Sequence, residues 1–573
     1  MRASLRAVVF DLDDTLFDCT GSLVEASRWR AAEALVKAGL PMSVDEAFRL
    51  QKDLADIHGP HFLVFDEIGR HYDLSDDALH AAYRAYNSDE VGGDIALFPD
   101  VLPTLRMLRR QGILCFLLTV GPHRRQQAKM RKLGLVNEFD DTLVSDPDRG
   151  ALMSECLRYF LTKYKLQASE VLIVGDRPGE EIRIGNELGM VTAQMLRGRF
   201  SVAEPRDRFE VPRYRITHVF QVPTIMRLAD MGKMPESLRI VTIGGGTGAP
   251  IVLEGCKAYS HNLTAVVAVT DSGRSSGRLR EELGMLAPGD VRNCLVALSE
   301  PGEKERRLNE LFQYRFRNGS LQGMSVGNLI IAAMTDMAGS FEQGIKIISS
   351  LLNIKGKVLP PTLTDCHVCA ELEDGTIVER EVNVRALNKP RIGRVFLKPS
   401  DPDALDETVE EILSADIVVL GPGSLFTSTL PNILVPRIRR AIADSGAAKY
   451  YVCNIMTQPG QTDGFTASDH YRALVQHLGE HVVDCMLLNS TPPPPEILER
   501  YKQEGAELVL ADESLRGFPV KVVQADLIEE LSAARVLWEK QDLLRHHPDK
   551  LADALCRLYG DMELLSPQGS PAL

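Results

Sequence analysis

One stretch, 239–293, limits what this chain can become more than any other: RIVTIGGGTGAPIVLEGCKAYSHNLTAVVAVTDSGRSSGRLREELGMLAPGDVRN reads as strand, glycine loop, helix, strand and acidic turn. The β-branched run 240–243 leads straight into Gly244, Gly245, Gly246 and Gly248, with Thr247 among them, and at the glycines a backbone lacking Cβ atoms can turn sharply and approach a ligand. A helix is expected from about Ala249, with Pro250 suited to its first turn. Free N–H groups and the helix dipole at that start favour a phosphate or pyrophosphate. Gly244, Gly246 and Ala249 also satisfy the G-x-G-x-x-G/A spacing, and Asp271 ends the apolar run 264–270, where an acid can hold a ribose hydroxyl or a metal. A parallel α/β domain with a nucleotide pocket follows.

After Asp271 comes SGRSSGRLR, read as a bendable basic loop: Ser275 and Ser276 offer hydroxyls, Arg278 and Arg280 offer forks for anions. A second buried run, ADIVVL, enters Gly421, Pro422, Gly423 and Ser424 and repeats the anion-cradle logic. Asn328 opens an apolar helix, a capping position, and a strand ends at Asn454 before a polar loop containing Thr457.

GGGTG, TDSGRSSGRLR and PGDVRNCLVALS, followed in order by MSVGNLIIAAM, NIKGKVLPPTL, LGPGSLFTSTLPNILVP and YVCNIMTQPGQTDGFTASDH, resemble the superfamily of 2-phospho-L-lactate transferase and the bacterial gluconeogenesis factors. The resemblance covers about residues 238–515 and implies a doubly wound parallel sheet. It also implies that Asn293, Asn328, Asn454 and Thr457 join the glycine loops at a nucleotide-sugar ligand such as a UDP-linked sugar. The family's acidic turn commonly carries two adjacent acids and two glycines. Here Asp271 is followed by Ser272, Gly273 and Arg274, which favours a phosphate or sugar acid over a metal at that place.

The first 230 or so residues carry a different chemistry. The strand RAVVF ends in Asp11, Leu12, Asp13, and two carboxylates spaced i and i+2 past a buried strand can converge. A second buried strand within 110–122 ends at Thr119, and a third within 171–182 ends at Gly175 and Asp176 with Glu180 and Glu181 behind. Oxygen-bearing groups at three strand ends place a site at the carboxyl edge of an α/β sheet, with the ligands that Mg²⁺ prefers. The set resembles the haloacid dehalogenase (HAD) superfamily. That resemblance implies Asp11 as nucleophile, Asp13 as general acid and base, Thr119 as phosphoryl holder, and Mg²⁺ held by Asp11, the Asp13 carbonyl, Asp176 and Glu181, with Glu180 a rival for the last place. Arg149 stands where the family has a lysine, with Lys129 and Lys132 as rivals. The helix-rich segment 16–95 corresponds to the family's cap.

The domains are therefore expected at 1–232, a HAD-like Rossmannoid sheet with a helical cap, and 238–573, the nucleotide-sugar domain. A formal charge of -14 argues against nonspecific nucleic-acid binding. No apolar run approaches the roughly 20 residues that span a bilayer, and the N-terminal apolar run ends in acids, unlike a secretory signal. The ten cysteines fit reduced thiols. The Cys366–Cys369 pair lies in a strand pattern, without a second pair at zinc-ribbon spacing. A cytoplasmic location follows. Helical stretches after 525 suit core packing or a homo-oligomer contact, with 527–544 the candidate partner helix.

Three functions fit these residues: a phosphatase joined to a UDP-sugar-binding regulatory domain, a transferase of a phosphate-bearing group, and an NAD-binding module. The ligands expected are a phosphorylated small molecule and a UDP-sugar.

Overall fold

The computed structural model describes residues 4–58, 63–88, 95–146, 150, 152–300, 302–529 and 544–565. Expectations for Arg149, and for all but the ends of 527–544, lie outside the described residues. The chain divides into two compact units, Met1–Gly232 and Lys233–Leu573.

In the first unit six strands run parallel: β1 Ala7–Phe10, β2 Leu114–Val120, β3 Asp141–Ser145, β4 Val171–Gly175, β5 Val191–Met195 and β6 Tyr214–Ile216, in the order β3-β2-β1-β4-β5-β6. β1 (AVVF) and β4 (VLIVG) are buried at every position, as central strands covered on both faces must be. From β1 the chain goes first to one side, to β2 and β3, and then returns to place β4 on the other. The β1/β4 gap is the point where strand order reverses, and ligands bind beside such points in open α/β sheets. Asp11 follows β1 there, its N–H bonded to Val174 O at 2.9 Å.

The segment expected as a cap holds the helices Glu25–Lys37, Val44–His58, Val64–Tyr72 and Asp76–Tyr86. They share their own apolar core, including Ala31, Leu35, Phe65, Ile68 and Ala82. Arg125, on the helix His123–Lys132 that follows β2, ties them to the sheet. It donates to Tyr86 O at 2.8 Å and to Ser27 Oγ at 2.9 Å.

The second unit is built on seven parallel strands: β7 Arg239–Gly244, β8 Asn262–Val267, β9 Lys357–Leu359, β13 Ile417–Leu420, β14 Ala448–Val452, β15 Cys485–Asn489 and β16 Lys521–Ala525. Their order, β16-β15-β14-β13-β7-β8-β9, again reverses once, between β7 and β13. A small antiparallel sheet of β10 His367–Leu372, β11 Ile377–Glu379 and β12 Ile392–Lys398 is inserted between β9 and β13. Cys366 and Cys369 are buried there. Among the described residues no helix is long and apolar enough to cross a membrane.

One expectation changes. SGRSSGRLR is not a bendable loop but the start of the helix Arg274–Leu283. Glycine suits position 277 because any Cβ there would overlap Ser272 O, so the tight first turn, not flexibility, explains that residue.

Candidate functional site

At the β1/β4 edge, Asp11 and Asp176 are buried, and Glu181 reaches the same place from the helical turn Pro178–Ile182. Burial raises the Asp11 carboxyl well above its usual range, and the charges of Glu181, Asp176 and Asp13 add to the effect. Asp176 is raised by burial and Glu181, and Glu181 is pushed up to about 7 by burial. Among the described residues Asp176 Oδ1 is buried without a hydrogen-bond partner. A crowded, all-oxygen, mutually repelling set with an orphaned oxygen fits a hard divalent cation such as Mg²⁺. Of the two rival acids, Glu181 faces this cluster, whereas Glu180 pairs with Arg177 at 2.9 Å and is about half exposed.

Asp13 is held differently. Burial raises its pKa, but Lys129 Nζ, at 2.8 Å from Oδ1 and 2.6 Å from Oδ2, outweighs burial and keeps the carboxyl below the usual range. Lys129 projects from the helix His123–Lys132, and only 4% of its side chain is exposed. Among the described residues two cations act on this cluster, Lys129 at Asp13 and Arg177 beside Glu181, Asp176 and Asp11. Gln126, one turn earlier, donates to Thr119 Oγ1 at 2.7 Å and to Val120 O at 2.6 Å, fixing Thr119 at the end of β2. Sequence reasoning did not single out Gln126. A glutamine in so polar a helix reads as a surface residue.

The second site is a cavity of about 860 Å³ at the β7/β13 edge. Gly246, Thr247, Gly248, Asp271, Ser275, Ser276, Asn293, Asn328, Gly423, Ser424, Asn454 and Thr457 all line it. Gly244, Gly245 and Gly421 stand just behind: a Cβ on Gly244 would lie 3.8 Å from the Gly421 Cα. The two glycine loops interlock, since any Cβ on Gly248 would overlap the Pro422 carbonyl. Helix Gly248–Cys256 starts at this contact, and Gly246 takes φ +64°, a left-handed conformation that glycine adopts freely.

Arg278 does not reach the cavity. Ser276 faces it, and two positions further along a helix turn a side chain roughly 200° away. The guanidinium instead pairs with Glu282 at 2.7 Å and donates to Ser320 O at 3.1 Å. Asn328 is more than a cap: Ser325 caps the helix Val326–Ala338, while the Asn328 amide donates to Ser275 Oγ at 3.1 Å and accepts from Arg292 at 3.0 Å.

Several lining residues carried no signal that singled them out. Asp290 is pushed up to about 6 by burial and by Asp271. Glu381, from the short helix Glu381–Val384, is pushed up to about 8 by burial, then by its hydrogen-bonding contact with Asp271 and the charge there. It accepts from Ser272 N at 3.1 Å and pairs with Arg385 at 3.2 Å. Arg292 and Arg315 also line the cavity, as do Arg385, Glu504 and Arg545.

Residues 240–528, half of the chain, match the family model described as 2-phospho-L-lactate transferase CofD. The chain belongs to the CofD family. Within it, the CofD unit is 46% identical over 317 residues to the "Gluconeogenesis factor" of Halalkalibacterium halodurans, covering 55% of this chain and 95% of that protein. It is 43% identical over 330 residues to the "Gluconeogenesis factor" of Bacillus subtilis, covering 57% and 99%. A crystal structure of a UPF0052 family protein from Bacillus halodurans superposes with a TM-score of 0.52 at 45% identity, over 56% of this chain and 99% of that one. Ahead of the CofD unit, residues 5–189 match the haloacid dehalogenase-like hydrolase model. The protein thus joins a HAD-like hydrolase domain to a CofD-like, gluconeogenesis-factor-like domain.

Proposed function

We propose that the N-terminal domain is a Mg²⁺-dependent phosphohydrolase and that the C-terminal domain binds a UDP-linked sugar as a regulatory ligand, both in the cytoplasm. The observation that carries the first half is the pairing of a repelling Asp11–Asp176–Glu181 cluster with an Asp13 held ionised by Lys129. Asp11, Asp176, Glu181 and the Asp13 carbonyl would hold Mg²⁺, which would neutralise charge on the phosphoryl group. The Asp11 carboxylate attacks phosphorus, forming an aspartyl acyl phosphate as the P–O bond to the leaving alcohol oxygen breaks. Asp13, taking up a proton from solvent once Lys129 leaves it, gives that proton to the leaving oxygen and then takes one from the water that cleaves the acyl phosphate. Thr119, oriented by Gln126, holds a phosphoryl oxygen, and Lys129 turns from Asp13 to the incoming dianion.

The second half rests on the interlocked glycine loops at the β7/β13 reversal. Two backbone cradles side by side suit a diphosphate, and a cavity of about 860 Å³ leaves room for groups on both sides of it. The test is one comparison. With Mg²⁺, wild type should hydrolyse p-nitrophenyl phosphate and bind UDP-N-acetylglucosamine by calorimetry without consuming it in phosphorus NMR. Asp11→Asn should lose hydrolysis and keep the affinity. Turnover retained in that variant removes Asp11 as nucleophile, and consumption of the UDP-sugar by both proteins makes the second domain a transferase.

A further inference from the structure

Arg292, on the helix Gly289–Leu298, is 3% exposed and lines the cavity. A guanidinium buried to this degree ordinarily faces a carboxylate, because an uncompensated charge in the interior is costly. Among the described residues Arg292 forms no ion pair. Its partners are the neutral oxygens of Ser325 Oγ at 2.5 Å, Asn328 Oδ1 at 3.0 Å and Asn293 Oδ1 at 2.8 Å. Its Nε is buried with no acceptor. The larger neighbouring charge is of the same sign: burial and then Arg315 lower the Arg292 pKa to about 10, with Asp290 offsetting only part. Arg315 itself lines the cavity, and among the described residues its guanidinium donates to the Gly323 carbonyl at 3.1 Å and faces no acid in an ion pair.

The fold makes room for this arrangement. A Cβ at position 327 would sit 2.7 Å from Arg292 Cδ, so Gly327 clears the path of the side chain. Asn293 then links the arginine to the first glycine loop, its amide donating to Gly246 O at 3.4 Å. Two like-charged forks, one buried and lacking an acid, beside a phosphate-type loop, form a site that is electrostatically incomplete without an anion.

We propose that Arg292 and Arg315 form an oxyanion subsite of the CofD-domain cavity, contiguous with the first glycine loop through Asn293, that binds a phosphate group. This deepens the nucleotide-sugar reading and rests on it for the identity of the whole ligand, but not for the subsite itself. The phosphate has two possible sources, the diphosphate of the nucleotide sugar or a separate phosphorylated ligand.

The experiment uses the full chain, inorganic pyrophosphate as probe, and arginine-Nε-selective NMR beside calorimetry. Pyrophosphate should shift the Arg292 Nε resonance, and Arg315→Gln, at a partly exposed position that tolerates substitution, should weaken pyrophosphate binding about tenfold or more. Competition between pyrophosphate and UDP-N-acetylglucosamine assigns the subsite to the nucleotide's own diphosphate; simultaneous binding assigns it to a second ligand. Either outcome supports the subsite. A pyrophosphate response with no UDP-sugar binding leaves the subsite standing and overturns the nucleotide-sugar reading. An unmoved Arg292 signal, or equal pyrophosphate affinity in wild type and Arg315→Gln, overturns the subsite.

Discussion

Lys129 Nζ lies 2.6 Å from Asp13 Oδ2. The ammonium is almost fully enclosed, so the pair sits where solvent screens it little. The consequence is a carboxylate that stays ionised although burial alone would raise its pKa.

Removing the cation should therefore alter the pH dependence of hydrolysis as well as its rate. In Lys129→Ala the burial contribution is unopposed, Asp13 protonates at a higher pH, and the acidic limb of the pH–rate profile moves upward. The loss of kcat should be on the order of 10²–10³, the usual cost of one electrostatic donor at a reacting group. Profiles for p-nitrophenyl phosphate in the two proteins check this. A limb that stays in place would remove Lys129 from the control of Asp13.

Gly248→Ala inserts a methyl into the Pro422 carbonyl. Overpacking of this kind typically costs about 1–3 kcal/mol, here concentrated on the contact that shapes both cradles. Nucleotide-sugar affinity should fall at least tenfold by calorimetry while hydrolysis by the first domain is unchanged. Equal affinity would show that the loops separate easily and do not form one cradle.

Glu381 sets a pH dependence of stability. Its folded pKa, pushed up to about 8, exceeds an unfolded value of about 4.3, so between those limits the folded state binds more protons and stability falls as pH rises. Glu381→Gln cannot ionise. Its melting transition for the CofD domain should decline less than that of wild type between pH 4.5 and 8, with the gap widest at the top. Parallel melting curves across that window would refute the assignment.

What was legible in the sequence is what is local. β1, β7 and β13 are continuous apolar runs entering acids or glycines, and a short run of residues states both the strand and the chemistry at its end. What was not legible depends on which side of a helix faces inward. Lys129 sits in the ten-residue HRRQQAKMRK, where seven residues are charged or amide, so composition points to a solvated face and only the docked sheet shows which lysine is enclosed. Arg278 is the reverse case: it stands among ligand-like residues, but the segment is helical and the turn carries the side chain away. Glu381 reaches the cavity from a segment in which no pattern points to it, and Arg292 lies in PGDVRN, where the pattern marked Asn293 but not the arginine beside it.

The join between the glycine loops has a consequence in time. Asn432 Nδ2 bonds Gly244 O across 188 residues of chain. A ribosome releases the first loop long before it makes the second, and until β13 pairs with β7 the early half has only one wall of its pocket. On the proposed function, ligand would stabilise this domain only as a late event of synthesis. A nascent chain halted before residue 421 should gain no protection from proteolysis in the presence of the nucleotide sugar, however abundant it is.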